Sequence, residues 1–151
     1  MKIALLLVLL TVSHTVQAKR TLDSYIEKLC DKQCVNAQRL KKVVKAANSK
    51  YKLPRHLVLA VLKTESDFKR TAYNQGNYGL MQVNLTTHRR KFGKKSPFDI
   101  DANVDVGAEI LSDCLKKYRT IKQTLTCYKG DESKTYQSEV LSTMLVLASL
   151  D

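Results

Sequence analysis

Glu65 is the residue whose type and position are best suited to chemistry in this sequence. It lies four residues after Val61 and eight after Leu57, so it continues the apolar row along one face of a predicted helix. Burial and the negative end of the helix dipole both disfavour an ionised carboxylate, so both are expected to raise the pKa of Glu65. A carboxyl that stays protonated near neutral pH can serve as a general acid. On spacing alone, a solvated glutamate at a helix end is the alternative.

The segment GNYGLMQV, residues 76–83, follows Glu65 and has the composition of a ligand-binding loop. Its two glycines permit tight turns and a close approach of the backbone to a ligand. Gln82 lies among apolar neighbours, and a buried amide must form hydrogen bonds with the backbone or with a polar ligand. In a sugar site this amide suits hydroxyl and acetamido groups, and Met81 and Tyr78 can pack against the ring faces. For Met81 the alternative is plain core packing.

The elements that position these residues are predicted to be helices. Apolar residues recur at helical spacing almost throughout, and only five glycines and two prolines interrupt the chain. Pro54 suits the start of the helix that carries Glu65. Gly107 lies on the apolar face of a later helix, where another helix can approach closely. The one candidate strand is short and lies near residues 80–83. We therefore predict an all-α fold in one compact domain.

The first 18 residues have the features of a secretory signal peptide. A charged start precedes an apolar run over residues 3–12, and residues 16–18 (VQA) resemble a small-residue cleavage site. The run is too short for a stable membrane anchor, and an uncleaved anchor is the alternative. We expect residues 19–151 to form an exported domain, located in the periplasm or cell envelope or, alternatively, in a phage virion.

Four cysteines, Cys30, Cys34, Cys114 and Cys127, follow this leader and predict two disulfides. A zinc site is disfavoured because the sequence contains no Cys-x-x-Cys pair and its histidines are scattered. Cys30 and Cys34 are four residues apart, and sharing one helix would oppose a bond between them. Each is therefore expected to reach across to Cys114 or Cys127.

The charge balance is strongly basic, with 26 Lys and Arg against 14 Asp and Glu. A net charge of this size attracts polyanions. The basic residues are spread along the chain, without the clustered arm or aromatic platform of a nucleic-acid-binding protein. We therefore expect anionic cell wall or membrane surface rather than nucleic acid as the partner, with a solvated basic surface as the alternative.

Five blocks of the sequence resemble, in order, the lytic transglycosylase domain of the soluble-lytic-transglycosylase and goose-type lysozyme kind. They are ESDF, GNYGLMQVN, NVDVGAEIL, CYKG and TYQSEV, spread over residues 53–140. The resemblance implies a lysozyme-like α-helical fold, with at most a very short β-hairpin near the groove. It also implies a catalytic core over 53–140, preceded by N-terminal helices over 19–52 and ending in a C-terminal helix over 136–151.

The same resemblance implies roles for individual residues in binding and cleaving peptidoglycan. Glu65 is the implied catalytic acid and base, with Gly107 supporting the groove. The implied substrate-binding residues are Tyr78, Met81, Gln82, Asn103 and Tyr128. The chain departs from the family where Tyr-Asn-Ala-Gly becomes Tyr128-Lys129-Gly130, and where relatives carry a serine near the position of Asn74. No family role is therefore carried over to Lys129 or Asn74.

The expected reaction follows from the number of carboxylates. Ordinary glycosidases need two, but Asp67 lies two residues from Glu65 and should point away, and the sequence does not place Asp99 or Asp101. A lone Glu65 can protonate the glycosidic oxygen and then deprotonate the muramic 6-hydroxyl. This gives a lytic transglycosylase that cleaves the β-1,4 MurNAc–GlcNAc bond and leaves a 1,6-anhydro sugar, with no metal or cofactor.

Two other functions fit the same sequence. A hydrolytic muramidase would need a second carboxylate in the groove, and a wall-binding structural module would not need Glu65. In each case the expected partner is the peptidoglycan glycan strand. The small size suggests local wall opening for an envelope-spanning secretion system, a pilus or a phage assembly.

Overall fold

A computed structural model of the chain describes residues 21–29 and 34–150. The expected leader and Cys30 lie outside these ranges. The described part contains seven helices and a small antiparallel sheet, which confirms the predicted all-α, lysozyme-like class. None of these helices is long and apolar enough to cross a membrane. The elements are α1 (Leu22–Leu29), α2 (Ala37–Tyr51), α3 (Arg55–Ser66), β1 (Tyr73–Asn74), β2 (Asn77–Tyr78), β3 (Val83–Asn84), α4 (Leu85–Phe92), α5 (Ile100–Tyr118), α6 (Ile121–Lys129) and α7 (Lys134–Ala148).

Helix α3 forms the centre of the core. Every side chain from Leu57 to Leu62 is buried, so the helix is apolar on all sides and must be enclosed by other elements. It packs most extensively against α7 and also contacts α2. Pro54 lies immediately before α3, where its missing N–H costs nothing because the first amides of a helix have no intrahelical acceptor. The helix that carries Glu65 is therefore held rigidly.

The chain turns sharply just after Glu65. Asp67 caps α3 in the left-handed conformation, and Phe68 follows with a φ of 61°. A positive φ is unfavourable for a bulky residue and typically costs ~1 to 3 kcal/mol. The Phe68 ring is completely buried, and this burial offsets the cost of the turn. The turn directs the chain away from α3 and into the sheet.

The sheet contains three two-residue strands in the order β1-β2-β3, all antiparallel. Tyr78 pairs with Tyr73 on one side and with Val83 on the other. The predicted hairpin is therefore extended by one strand, and the strand expected near residues 80–83 begins only at Val83. The link between β2 and β3, residues 79–82, is called the glycine loop below.

The glycine loop packs tightly against α5. Gly79 has a φ of 72°, and a Cβ added there would lie 2.5 Å from Asn103 Nδ2. A Cβ added at Gly107 would lie 2.6 Å from both Cβ and Sδ of Met81. Gly107 on the apolar face of α5 permits this close approach, but the approaching element is the loop and not the helix that the sequence predicted.

Gly107→Ala is expected to lower the free energy of unfolding by about 1 to 3 kcal/mol because the new methyl overlaps Met81. Helix propensity alone predicts the opposite sign, since Ala stabilises a helix interior by about 1 kcal/mol relative to Gly. Urea denaturation of both proteins decides between the two. An alanine variant as stable as the wild type would show that the loop does not press on α5.

The disulfide pairing differs from the sequence prediction. Cys114 on α5 is bonded to Cys127 on α6, with a Cα–Cα distance of 5.7 Å. The expected bonds from Cys30 and Cys34 to these two cysteines are therefore wrong. The reason is local: Arg119 ends α5 in the left-handed conformation, α6 begins two residues later, and the two helices pack together. Among the described residues Cys34 has a free thiol, which donates a hydrogen bond to the Asp67 carbonyl.

Replacing Cys114 and Cys127 together by serine is expected to reduce stability by about 3 kcal/mol, the chain-entropy value for a loop of this length. Mass spectrometry of a non-reduced digest should find the two residues in one cross-linked peptide. A peptide that joins Cys34 to either of them would contradict the pairing.

Candidate active site

A groove with a cavity of about 420 Å³ lies where α3, the sheet, α4, α5 and α6 meet. Most of its lining is polar, which suits a ligand rich in hydroxyl and amide groups. Five elements of the fold contribute side chains, so the groove exists only in the assembled domain. The lining residues are Thr64, Glu65, Asn74, Asn77, Gln82, Val83, Asn84, His88, Ile110, Tyr128 and Lys129.

Glu65 lies in the last turn of α3 and is partly buried at the groove surface. Burial raises the pKa of Glu65 above the ordinary value, because removing water disfavours the charged form. The Tyr136 hydroxyl and the Lys129 ammonium both lower this pKa, but burial has the larger effect. The group is therefore poised to hold a proton at a higher pH than an exposed glutamate does.

Two tyrosine hydroxyls lie close to Glu65. Tyr128 donates a hydrogen bond of 2.8 Å to the Met81 carbonyl, and burial, together with the charge of Glu65, raises its pKa well above the ordinary range. Tyr136 is buried in α7, and burial and then the Glu65 charge raise its pKa as well. Both hydroxyls therefore remain neutral donors at physiological pH.

Tyr136 differs from Tyr128 in its hydrogen bonding. Its hydroxyl is near enough to lower the pKa of Glu65, yet it forms no hydrogen bond with the carboxylate. In the described structure the buried Oη of Tyr136 has no partner. A buried hydroxyl without a partner is costly, and a small movement toward an ionised Glu65 would provide one.

Gln82 lines the groove and has a positive φ of 46°. Its Nε2 donates to the carbonyl oxygens of Ala72 and Gly79, at 3.1 and 3.0 Å. Both amide hydrogens are therefore used, one within the glycine loop and one by the residue that precedes β1. The atom of this amide that can serve a ligand is thus its oxygen, which accepts from hydroxyl or N–H groups.

Three of the expected substrate-binding residues lie outside the groove lining. Met81 is fully buried against Gly107 and belongs to the core, and the Tyr78 ring packs against the rings of Tyr73 and Phe98. Asn103 is also buried: its Oδ1 accepts from Met81 N–H, and its Nδ2 donates to the carbonyls of Tyr78 and Pro97, each at 2.8 Å. These side chains position the groove rather than line it.

The three aspartates considered as a second catalytic carboxylate have structural contacts elsewhere. Asp67 is exposed and pairs with Lys63, Asp99 caps α5 by accepting from Ala102 N–H at 2.8 Å, and Asp101 pairs with Arg39. Among the described residues that line the groove, Glu65 is the only carboxylate.

Sequence reasoning missed several residues of the site. Tyr136 lies on α7, which reaches Glu65 only because α7 packs on α3. The periodicity of the sequence does not report such a contact between distant segments. Lys129 directly follows Tyr128, an expected site residue, and this adjacency could have marked Lys129 as a further candidate. His88 lies one turn after Asn84, and burial, with a smaller contribution from Lys91, lowers the pKa of His88. It therefore adds little positive charge at neutral pH.

The fold and the site together define a small lysozyme-like helical domain in which Glu65 is the one carboxylate among the described residues of a polar groove. The chain belongs to the family of transglycosylase SLT domains, whose family model matches residues 42–140. The match ends at Val140, as the motifs did, but begins within α2, earlier than residue 53. A curated relative, called a transglycosylase, from Enterobacteria phage PRD1 is 30% identical over 111 residues. The alignment covers 68% of this chain and 42% of the relative, so the chain spans less than half of that protein.

Glu65→Gln is expected to stabilise the protein at neutral pH but not at acidic pH. Because its pKa is raised by folding, the native state keeps a proton that the unfolded state loses. Wild-type stability should therefore fall as the pH rises from 4.5, the ordinary value, through the raised pKa of Glu65. Glutamine has no proton to lose, so urea unfolding at several pH values should show a gain that grows with pH.

Glu139→Gln is the matched control, since Glu139 is exposed on α7. This change should give no comparable pH-dependent gain. A Glu65→Gln effect that is constant across the pH range, or that shrinks as the pH rises, would contradict the raised pKa.

Proposed function

We propose that this protein is a peptidoglycan lytic transglycosylase that cleaves the β-1,4 bond between MurNAc and GlcNAc and forms a 1,6-anhydro-MurNAc end. The observation that carries the proposal is that Glu65 is the only carboxylate among the described groove residues, and that burial raises its pKa. A hydrolytic enzyme of the usual kind needs a second carboxylate to activate water or to attack the sugar.

One carboxyl is sufficient for this reaction because it acts twice. Protonated Glu65 first donates its proton to the glycosidic oxygen, and the bond from that oxygen to the anomeric carbon breaks. The carboxylate then accepts the proton of the muramic 6-hydroxyl as its oxygen bonds to the same carbon. Glu65 regains its proton, and no water is consumed. The 6-hydroxyl belongs to the same sugar, and such proximity can be worth about 7 to 11 kcal/mol.

The surroundings of Glu65 suit both steps. Burial favours the protonated form needed at the start. The Tyr136 hydroxyl, which lowers the pKa of Glu65, favours the carboxylate that exists between the two proton transfers. The polar lining, including the oxygen of Gln82, offers partners to the sugar hydroxyl and acetamido groups.

The wider role that we propose is local opening of the cell wall by an exported protein. The formal net charge of +12 favours association with an anionic envelope. The relative from a phage is consistent with service in phage entry or in another envelope-spanning assembly. In each setting the partner is the peptidoglycan strand.

Glu65→Gln should reduce lysis of purified sacculi by at least about a thousandfold, because it keeps the shape of the side chain but removes the proton donor. Asp99→Asn and Asp101→Asn are the controls, since these residues lie outside the groove lining and asparagine can still cap α5. Both should remain active.

The product is tested by mass spectrometry of the soluble fragments. Fragments released by the wild type should end in anhydro-muramic residues, each lighter by one water than a hydrolysed end. Reducing ends together with an essential Asp99 or Asp101 would identify a muramidase instead. Binding to sacculi without any release of fragments would identify a wall-binding module.

A further inference from the structure

Lys129 occupies a defined position at the edge of the groove. It is the last residue of α6, and Gly130 caps the helix in the left-handed conformation. A cation is favoured at this end of a helix because the macrodipole is negative there. The ammonium lies 5.2 Å from the centroid of the Tyr136 ring, a distance that permits a cation–π interaction. The side chain is therefore held at the groove by two features of its surroundings.

The positive charge of Lys129 acts on Glu65, but no salt bridge holds its ammonium within the described residues. Some lysines of the surface pair with carboxylates: Lys41 with Asp23, Lys50 with Asp105, and Lys91 with Glu109. Lys129 forms no such ion pair, although it lines the same groove as Glu65. The groove thus contains an exposed ammonium, beside the acid, that can receive an anion.

We propose that Lys129 binds a carboxylate that the glycan substrate carries beside the scissile bond. This rests on the proposed function, which makes a muramic residue the sugar at the cleavage point. Such a residue carries a 3-O-lactyl group, whose carboxylate is free in peptide-free strands. In substituted strands the lactyl group is amidated by the stem peptide, which has carboxylates of its own. A glycan built only from GlcNAc has neither group, so Lys129 gives the site a preference for muramic acid.

Binding of a carboxylate also changes the surroundings of Glu65. In the free protein Lys129 lowers the pKa of Glu65 and so opposes the effect of burial, which raises it. A carboxylate bound to Lys129 offsets this positive charge, so the effect of burial, which raises the pKa of Glu65, is less opposed. Recognition of the anionic group and protonation of the catalytic acid therefore favour each other.

The test measures binding in the Glu65→Gln background, so that no strand is cleaved. Peptide-free glycan strands and strands with stem peptides are each prepared with free carboxylates and with chemically amidated carboxylates. Lys129→Gln should weaken binding of a carboxylate-bearing strand about tenfold, equivalent to about 1.4 kcal/mol. It should change binding of the amidated strands by less than about twofold, and Lys129→Arg should restore most of the loss.

Lys122→Gln is the matched control, because Lys122 is exposed in the first turn of the same helix and does not line the groove. It removes the same charge and should leave binding unchanged. An effect confined to peptide-free strands identifies the lactyl carboxylate, and one confined to substituted strands identifies the stem peptide. Equal losses on charged and amidated strands, equal losses with Lys122→Gln, or no binding of any strand would overturn the proposal.

These outcomes are separable from those of the proposed function. If the wild type cleaves no strand but Lys129→Gln still weakens binding of charged strands selectively, carboxylate recognition stands and the enzymatic function fails. If the wild type releases anhydro ends but binding ignores the charge of the strand, the carboxylate proposal alone fails.

Discussion

Desolvation of one carboxyl, that of Glu65, is the constraint on which the arrangement of this domain depends. Removing a carboxyl from water is unfavourable, so the helix that carries it must be stabilised by other contacts. Helix α3 meets this need because its apolar residues are enclosed by α7 and α2. The buried Phe68 ring anchors the turn just after Glu65. Packing of the core therefore keeps the Glu65 carboxyl in a partly buried position that is unfavourable for the carboxyl by itself.

A second set of contacts holds the opposite wall of the groove. The glycine loop is pressed against Gly107 of α5, bonded to Asn103, and joined to α6 by the hydrogen bond from Tyr128 to Met81. The disulfide between Cys114 and Cys127 links α5 to α6. Loop, helices and disulfide thus form one connected support, which fixes Gln82 and Tyr128 relative to Glu65. Precise positioning of this kind is what proximity effects in catalysis require.

Local sequence features predicted much of this arrangement. Helical periodicity predicted the all-α class, and the apolar row that begins at Leu57 predicted the position of Glu65. The two glycines of the segment 76–83 predicted its tight turns. Features that depend on packing between distant segments were missed. Tyr136 reaches the site only through the contact of α7 with α3, and the disulfide depends on the two-residue connection between α5 and α6. Met81 was ambiguous because an apolar residue in a loop can face either a ligand or the core.

Titration of Glu65 itself shows whether burial raises the pKa of this carboxyl, as the proposed role of Glu65 as an acid requires. Carbon NMR of protein labelled at the glutamate side-chain carboxyl can follow each resonance with pH, and the Glu65→Gln variant assigns the signal. We expect a pKa for Glu65 above the ordinary value of 4.5, and a further rise when Lys129 is replaced by glutamine. A pKa at or below 4.5 in the wild-type protein would contradict this expectation.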